Sequence, residues 1–259
     1  MATKDGFAPG NFCWIELATT DAAGAKAFYS GLLGWSFEDR PMGPDSVYTL
    51  VKLGGRDAGA LYGLGPDQKG VPPHWGVYVS VASADEAAKK AAGLGATTVM
   101  APFDVMKVGR MAVLQDPTGA TFCLWEAGTN KGMGVVDEVG AFCWAELATK
   151  DPVRAEPFYR GLFGWGVKGD PKGAYTEWTH GGLSIGGMLP ITAEMGDMPP
   201  SWGVYFQVAD CDAAVARAKG LGARVCLEPK DIPGTGRFAV LADPQGATFS
   251  VITITGKGH

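Results

Sequence analysis

Two glutamates stand at matching places in the chain and are its strongest candidates for acid–base chemistry. Glu16 lies in the segment FCWIELAT, and Glu146 lies in FCWAELAT, 130 residues later. Each segment reads as a β-strand, so each glutamate shares a face with the tryptophan two residues before it, Trp14 or Trp144. A carboxylate partly desolvated beside an indole should have a raised pKa and could act as a general base. The alternative is a glutamate that bonds the backbone or a partner in another module, or that anchors a ligand. Its presence in both copies fits a structural role equally well.

Other nucleophile and metal motifs are weak. The five cysteines include no CxxC pair, so their spacing gives little support to a zinc site or a disulfide framework. Cys123 has no histidine near it in sequence, and a buried free cysteine is usually inert. The three histidines are His74, His180 and His259. The first two lack counterparts in the other copy and are expected at a rim rather than in a metal site.

The whole chain is an ordered tandem repeat of 259 residues. The other main matches, first copy then second, are FYSGLLGW at 28–35 and FYRGLFGW at 158–165, PPHWGVY at 72–78 and PPSWGVY at 199–205, and GRMAVLQDPTGATF at 109–122 and GRFAVLADPQGATF at 236–249. Each copy has the size of an ordinary domain. The repeat therefore predicts one domain at 1–127, a linker at 128–138 and a second domain at 139–259.

Within each copy the pattern predicts a strand, a helix and three strands, and then a second unit of the same kind. Asp21 should cap a helix that runs to about Ser30 and ends at Gly31. Asp151 gives the matching cap in the second copy, where Pro157 is expected to kink or shorten the helix. In the first copy, strands are predicted at 12–18, 48–53, 58–62, 75–81, 112–115 and 121–126.

Composition excludes several classes of partner. Apolar residues make up 46% and charged residues 19% of the chain, which is typical of a globular protein. The formal net charge of −5 leaves no basic surface for nucleic acid. No segment approaches the roughly 20 apolar residues that span a bilayer, so no membrane partner is expected. The first ten residues lack the apolar core of a signal peptide, and a cytoplasmic location is expected.

The spaced motifs resemble the vicinal-oxygen-chelate superfamily, which includes glyoxalase I, bleomycin-resistance proteins and extradiol dioxygenases. The matching residues are Asp21, the Phe-Tyr pair at 28–29, Leu-Gly-Trp at 33–35, GVYVSV at 76–81 and QDPTGA at 115–120, and the second copy carries the same set. The tandem form with FCWxELAT is most similar to actinobacterial glyoxalase-like proteins often labelled hydroxylase. The resemblance implies an α+β fold of two tandem glyoxalase-like domains. Each would hold two βαβββ modules in an open, cup-shaped mixed sheet around a cavity. The two copies would form an intramolecular pseudo-dimer, and either a monomer or a homodimer remains open.

Relatives that use a metal place His or Glu at four cavity positions, and the resemblance assigns those positions here to other residue types. They are Trp14, Gly59–Ala60, Gly76 and Cys123 in the first copy, and Trp144, Gly186–Gly187, Gly203 and Ser250 in the second. A divalent oxophilic metal needs about three His, Asp or Glu ligands. No metal and no other cofactor is therefore expected in either copy.

The same correspondence implies a ligand-binding face. Because Trp14 matches a cavity position, Glu16 should face the cavity as well. Tyr78 and Trp125 share strand faces with Gly76 and Cys123. Aromatic walls with a few polar groups suit a flat apolar ligand, and the alternative is a tryptophan-rich core. The expected ligand-binding residues are Trp14, Tyr78, Cys123, Trp125, Trp144, Tyr205 and Trp178, and the expected catalytic residues are Glu16 and Glu146.

The sequence thus favours a metal-independent protein that binds a small, largely apolar or aromatic molecule, in a sequestration, resistance or carrier role. One alternative is an enzyme of secondary metabolism or detoxification. Glu16 or Glu146 would then be the general base for isomerisation, cyclisation or elimination. A second alternative is a metal-dependent glyoxalase or dioxygenase-type lyase whose ligands lie outside the usual positions.

Overall fold

Each sequence copy supplies eight strands and two α-helices to the part of the chain that the computed structural model describes, residues 6–44 and 46–256. The elements of the first copy are β1 (Phe12–Thr19), α1 (Ala22–Leu33), β2 (Ser36–Gly43), β3 (Ser46–Leu53), β4 (Arg56–Gly63), β5 (His74–Ser80), α2 (Ala84–Gly93), β6 (Thr97–Val105), β7 (Gly109–Gln115) and β8 (Thr121–Ala127). Those of the second copy are β9 (Phe142–Thr149), α3 (Pro152–Phe163), β10 (Gly166–Gly169), β11 (Thr176–His180), β12 (Leu183–Pro190), β13 (Ser201–Gln207), α4 (Cys211–Gly220), β14 (Arg224–Ile232), β15 (Gly236–Ala242) and β16 (Thr248–Ile254).

The strands form two mixed, open sheets. Their orders are β2-β3-β4-β1-β5-β8-β7-β6 and β10-β11-β12-β9-β13-β16-β15-β14. In the first sheet β1 pairs with β4, and β5 with β8, in parallel. The pairs β2–β3, β3–β4, β6–β7 and β7–β8 are antiparallel. The predicted α+β fold with repeated βαβββ modules is confirmed. None of the helices among the described residues has the length and apolar character needed to cross a membrane.

The structure contradicts the expected end of α1 and shows that α3 is not shortened. Helix α1 continues past Ser30 to Leu33, and Gly34 is the residue that adopts the left-handed conformation at its end, with φ of 75°. Gly31 lies inside the helix, where a Cβ would stand only 3.0 Å from Leu221. Glycine is therefore used there for close approach rather than for ending the helix. Helix α3 is not shortened at Pro157, since it has the same 12 residues as α1 and is held by buried side chains on both sides of the proline.

The chain divides into two compact units, and each combines modules from both sequence copies. Unit 1 comprises Met1–Trp14, Gly76–Gly132 and Trp144–Gly203, and unit 2 comprises Ile15–Trp75, Met133–Cys143 and Val204–His259. The boundaries at 1–127, 128–138 and 139–259 describe the sequence copies, and as domain boundaries they stay a prediction.

An aromatic cluster around Tyr159 forms the core of unit 1. The Tyr159 hydroxyl donates to Asp116 at 2.8 Å and accepts from the Trp202 indole at 2.8 Å. Its ring stacks on Trp165, with centroids 5.5 Å apart and planes at 14°. Trp178 is fully buried against both Tyr159 and Trp165, with centroids 5.5 Å from each. Trp178 was expected to bind a ligand, but it belongs to the core of unit 1 and has no exposed surface.

Unit 2 repeats the arrangement around Tyr29. Its hydroxyl donates to Asp243 at 3.1 Å and accepts from the Trp75 indole at 3.0 Å, and its ring stacks on Trp35 at 5.2 Å. Asp243 also accepts three backbone N–H groups of the turn that it begins. Burial raises the pKa of Tyr29 and that of Asp243. The repeated Phe-Tyr, Trp and Asp-Pro motifs thus build the two cores.

Candidate functional site

Each predicted glutamate is hydrogen-bonded to a tyrosine from another part of its module. In unit 2, Tyr48 on β3 donates to Glu16 on β1, with 2.6 Å between the oxygens. In unit 1, Tyr175, just before β11, bonds Glu146 on β9. Sequence reasoning missed both tyrosines. A signal was present, because the Tyr-Thr pair that begins with Tyr48 returns 127 residues later with Tyr175.

Strand register explains how Tyr48 reaches Glu16. Glu16 stands opposite Ala60 on β4, and Ala60 stands opposite Leu50 on β3. Tyr48 is two residues from Leu50 and so lies on the same side of the sheet. We call these four residues the Glu16 face. Leu17, on the other side of β1, is fully buried, whereas Glu16 and Tyr48 are half-buried. The carboxylate is therefore partly exposed, on the side of β1 opposite Leu17.

Unit 1 holds its glutamate in a larger cluster. The Trp144 indole N–H donates to the Tyr175 hydroxyl at 3.0 Å, and that hydroxyl bonds Glu146. Gly187 on β12 stands opposite Glu146, and a Cβ at this position would overlap the Tyr175 hydroxyl. Glycine at 187 is what lets the phenol lie over β12. Although 42% of Tyr175 is exposed, its hydroxyl end is enclosed by these groups. Burial, and then the charge of Glu146, raise the pKa of Tyr175, which keeps the phenol protonated at neutral pH.

A second carboxylate lies beside this cluster. Glu177 on β11 stands opposite Gly187 on the side away from Glu146. It accepts from Ser184 at 2.6 Å and forms an ion pair with Lys168 at 3.1 Å. We call Trp144, Glu146, Tyr175, Glu177 and Gly187 the Glu146 face. Its counterpart in the first copy has an apolar residue, Leu50, at the place of Glu177. The two faces therefore share the Glu–Tyr bond and differ in the residues around it.

The second module of the first copy brings three predicted residues together. Tyr78 stands opposite Cys123, and the rings of Tyr78 and Trp125 meet edge to face, 6.3 Å apart. The Trp125 indole donates to the backbone carbonyl of Asn130 at 3.1 Å. Met111 on β7 stands opposite Trp125 and extends the same surface. We call Tyr78, Cys123, Trp125 and Met111 the Trp125 face; its first three members are at most 8% exposed.

The corresponding module of the second copy carries a shorter aromatic surface. Tyr205 stands opposite Ser250 and stacks on Phe238 with ring centroids 6.1 Å apart. Ile252 takes the place that Trp125 has in the first copy. Trp14, also predicted to line the site, is buried, with 4% of its surface exposed.

The donor set does not fit a divalent metal site of the usual kind. No group of three or more His, Cys, Asp or Glu side chains that could hold a metal ion occurs between residues 6 and 256, residue 45 aside. At Gly187, where a metal ligand would be expected, the space above the backbone holds the Tyr175 hydroxyl. A phenol that gives its hydrogen to Glu146 and an indole N–H are not metal donors.

A cleft of about 760 Å³ lies elsewhere on unit 1, between α2 and the end of α3, and Ser83, Lys90 and Phe163 are among the residues that line it. It contains none of the predicted site residues. The Lys90 ammonium beside it is already bonded to the carbonyl of Leu162 at 3.1 Å. The strand faces, where titratable groups and aromatic rings converge, are therefore the better candidates.

Comparison with known proteins places both copies in one family. A family model described as a glyoxalase-like domain matches residues 14–125 and again 144–252. CFP32 of Mycobacterium tuberculosis, provisionally named a glyoxylase, is 38% identical over 257 residues, which cover 97% of this chain and 98% of that protein. The anthracycline biosynthesis protein DnrV of Streptomyces peucetius is 37% identical over 267 residues, covering 96% and 94%. DauV of Streptomyces sp. strain C5, also named an anthracycline biosynthesis protein, is 36% identical over 262 residues, covering 96% and 94%.

Solved structures agree on the fold. The Mn(II)-bound glyoxalase from Novosphingobium aromaticivorans superimposes with a TM-score of 0.65 at 15% identity, covering 95% of this chain and 82% of that one. The 2,2',3-trihydroxybiphenyl 1,2-dioxygenase from Sphingomonas wittichii RW1 gives 0.65 at 15% identity, covering 96% and 93%. At such identities the likeness shows the fold alone.

Proposed function

The chain belongs to the glyoxalase-like domain family, and from this premise we propose that it binds a small, largely apolar or aromatic molecule without a metal ion. The observation that carries the proposal is the hydrogen-bonded cluster of Trp144, Tyr175 and Glu146 over Gly187. It fills, with neutral donors and one carboxylate, the place that the family resemblance assigns to metal ligands. What this cluster offers a ligand is a polar anchor, the Glu146 carboxylate, bordered by the rings of Trp144 and Tyr175.

The surrounding surfaces favour a flat, apolar ligand. The Trp125 face consists of two aromatic rings, a thiol and a thioether. Burying about 200 Å² of apolar ligand surface contributes about 5 kcal/mol before the entropic cost of binding. Because two relatives are named anthracycline biosynthesis proteins, we propose polycyclic aromatic compounds as the ligand class.

An enzyme is the second candidate, and the Glu–Tyr bond favours it. With 2.6 Å between the Tyr48 and Glu16 oxygens, a base and a phenol lie within proton-transfer distance on a partly exposed surface. Such a pair could take a proton from the carbon next to the carbonyl of a bound aromatic ketone and return it to another carbon or to the enolate oxygen, which is an isomerisation. Turnover separates the candidates: an enzyme converts a bound substrate and loses that turnover in Glu16→Gln or Glu146→Gln, whereas a binding protein shows no turnover in the natural chain or in either variant.

A titration with and without chelator tests the proposal. We expect an anthracycline and anthraquinone to quench tryptophan fluorescence with dissociation constants on the order of micromolar, unchanged within about two-fold by EDTA. Cys226→Ser is a control variant, because Cys226 is exposed and lies outside the Glu16, Glu146 and Trp125 faces, so its affinities should equal those of the natural chain. Absence of binding by every planar aromatic tested, or loss of affinity with EDTA that added metal restores, would overturn the proposal.

A further inference from the structure

We propose that the ligand of the Glu146 face is a hydrogen-bond donor, a phenol, and that it donates to the Glu146 carboxylate. This inference rests on the proposed function and names the ligand chemistry of one of its sites.

The hydrogen-bond arrangement of the cluster determines what a ligand must bring. Tyr175 has one O–H, and it is directed to Glu146. The Tyr175 oxygen in turn accepts the only N–H of the Trp144 indole. The two donors of the cluster are thus bonded to each other and to Glu146. What the cluster presents to a ligand is carboxylate oxygen, which only accepts, and a carboxylate can accept about four hydrogen bonds.

This polarity discriminates between classes of aromatic molecule. A quinone or ether oxygen placed against Glu146 would bring an acceptor to an acceptor, and both groups would lose hydrogen bonds to water without replacement. A phenol in the same place would form a charge-assisted bond, the stronger kind of hydrogen bond. The face therefore selects hydroxylated rings over their O-methylated counterparts.

The neighbouring charges add no further attraction for an ammonium group. Lys168, Glu177, Gly187 and Glu146 stand opposite one another in one row across four strands. Because Lys168 and Ser184 already bond Glu177, the second carboxylate adds little attraction for a cation.

Gly187 is the residue that makes this arrangement possible. A Cβ there would overlap the Tyr175 hydroxyl and would come within 3.1 Å of the Trp144 indole nitrogen. The first copy has Ala60 at the same place, so a methyl group occupies the space that the Tyr175 hydroxyl takes in the second copy. Alanine at 187 should therefore displace Tyr175 and Trp144 and disturb the carboxylate that they border.

A matched pair of ligands tests the inference on the intact chain. The affinities of 2-hydroxyanthraquinone and 2-methoxyanthraquinone are compared by titration calorimetry at about pH 6, where the phenol remains protonated. We expect the hydroxy compound to bind the natural chain at least about ten-fold more tightly. In Glu146→Gln, whose amide can donate to an ether oxygen, the ratio should fall to within about two-fold. Glu16→Gln is the matched control in the first copy and should keep the preference.

The possible results separate this inference from the proposed function. If neither compound binds the natural chain, both fail. If both bind with equal affinity, the proposed function stands and the donor inference is refuted. The inference is also refuted if Glu146→Gln keeps the preference or if Glu16→Gln abolishes it. Should Glu146→Gln fail to fold by thermal melting, Glu146→Ala decides: without the carboxylate the hydroxy compound must lose its advantage, and a preference that persists refutes the inference.

Discussion

Removing the Tyr159 hydroxyl should destabilise the protein by about 3 kcal/mol. In Tyr159→Phe, the buried Asp116 carboxylate loses a hydrogen bond of 2.8 Å, and the Trp202 indole N–H loses its acceptor at 2.8 Å. A hydrogen bond to a charged group is worth about 1.5–3 kcal/mol, and a buried donor left without a partner costs about 1–3 kcal/mol. Tyr159 has no exposed surface, so water does not easily replace either bond. Relaxation of the surrounding side chains offsets part of this cost, so the expected net loss in the free energy of unfolding is about 3 kcal/mol.

Urea unfolding, followed by circular dichroism and tryptophan fluorescence, measures this loss. Tyr29→Phe is an internal replicate in unit 2, where the bonds are slightly longer at 3.1 and 3.0 Å, so its cost should be equal or somewhat smaller. Tyr48→Phe is the control, because Tyr48 is half-buried on the Glu16 face, where water can replace its bond to Glu16, and the expected cost is at most about 1 kcal/mol. If Tyr159→Phe and Tyr29→Phe both lie within about 0.5 kcal/mol of the natural chain, the hydroxyl networks do not hold the cores, and the reasoning fails.

Two further predictions concern pH and backbone geometry. Burial raises the pKa of Tyr29 and that of Tyr159 in the folded protein, whereas both tyrosines ionise near pH 10 in the unfolded chain. Their contribution to the free energy of unfolding is therefore complete below about pH 10. Above that pH it falls by about 1.4 kcal/mol per pH unit for each tyrosine. Urea midpoints that stay constant between about pH 9 and pH 11 would contradict this. Gly59→Ala should cost about 1–3 kcal/mol, because φ is 142° and a Cβ would lie 2.8 Å from the carbonyl oxygen of Ile15. Gly203→Ala, whose Cβ would find its nearest neighbour at 3.7 Å, should change the melting temperature very little, and equal losses in the two variants would refute the geometric argument.

The sequence predicts the central strands well because their hydrophobic pattern is strong. The segment expected at 12–18 is β1, Phe12–Thr19, and the one expected at 58–62 is β4, Arg56–Gly63. The hydrophobic pattern of the sequence does not predict the edge strands β2 and β6. Both are mostly exposed and contain a proline, so pairing with a neighbouring strand rather than their own composition makes them strands.

The candidate site is only partly accessible from sequence. Alternation along β9 places Trp144 and Glu146 on one face, and in the structure the Tyr175 hydroxyl bonds both side chains. The tyrosine itself depends on the register of β11 and β12, which no local pattern fixes. The aromatic ring of Trp178 alone does not tell on which side of the sheet it lies. The register places it opposite Gly186, on the side that faces the core.

The comparison between copies bears on whether the Glu–Tyr bond serves the fold or a ligand. The Tyr29 and Tyr159 networks are fully buried and recur with the same partners, as a requirement of the fold should. The bonds of Glu16 and Glu146 are different, because they lie on partly exposed faces, where one hydrogen bond contributes only about 1 kcal/mol. Their neighbours have changed between the copies, from leucine to glutamate and from alanine to glycine, while the bond itself is present in both. If the proposed binding role is right, a contact that adds so little stability and is present in two different surroundings is explained by what it presents to a ligand, and Glu16→Gln and Glu146→Gln should then change affinity more than stability.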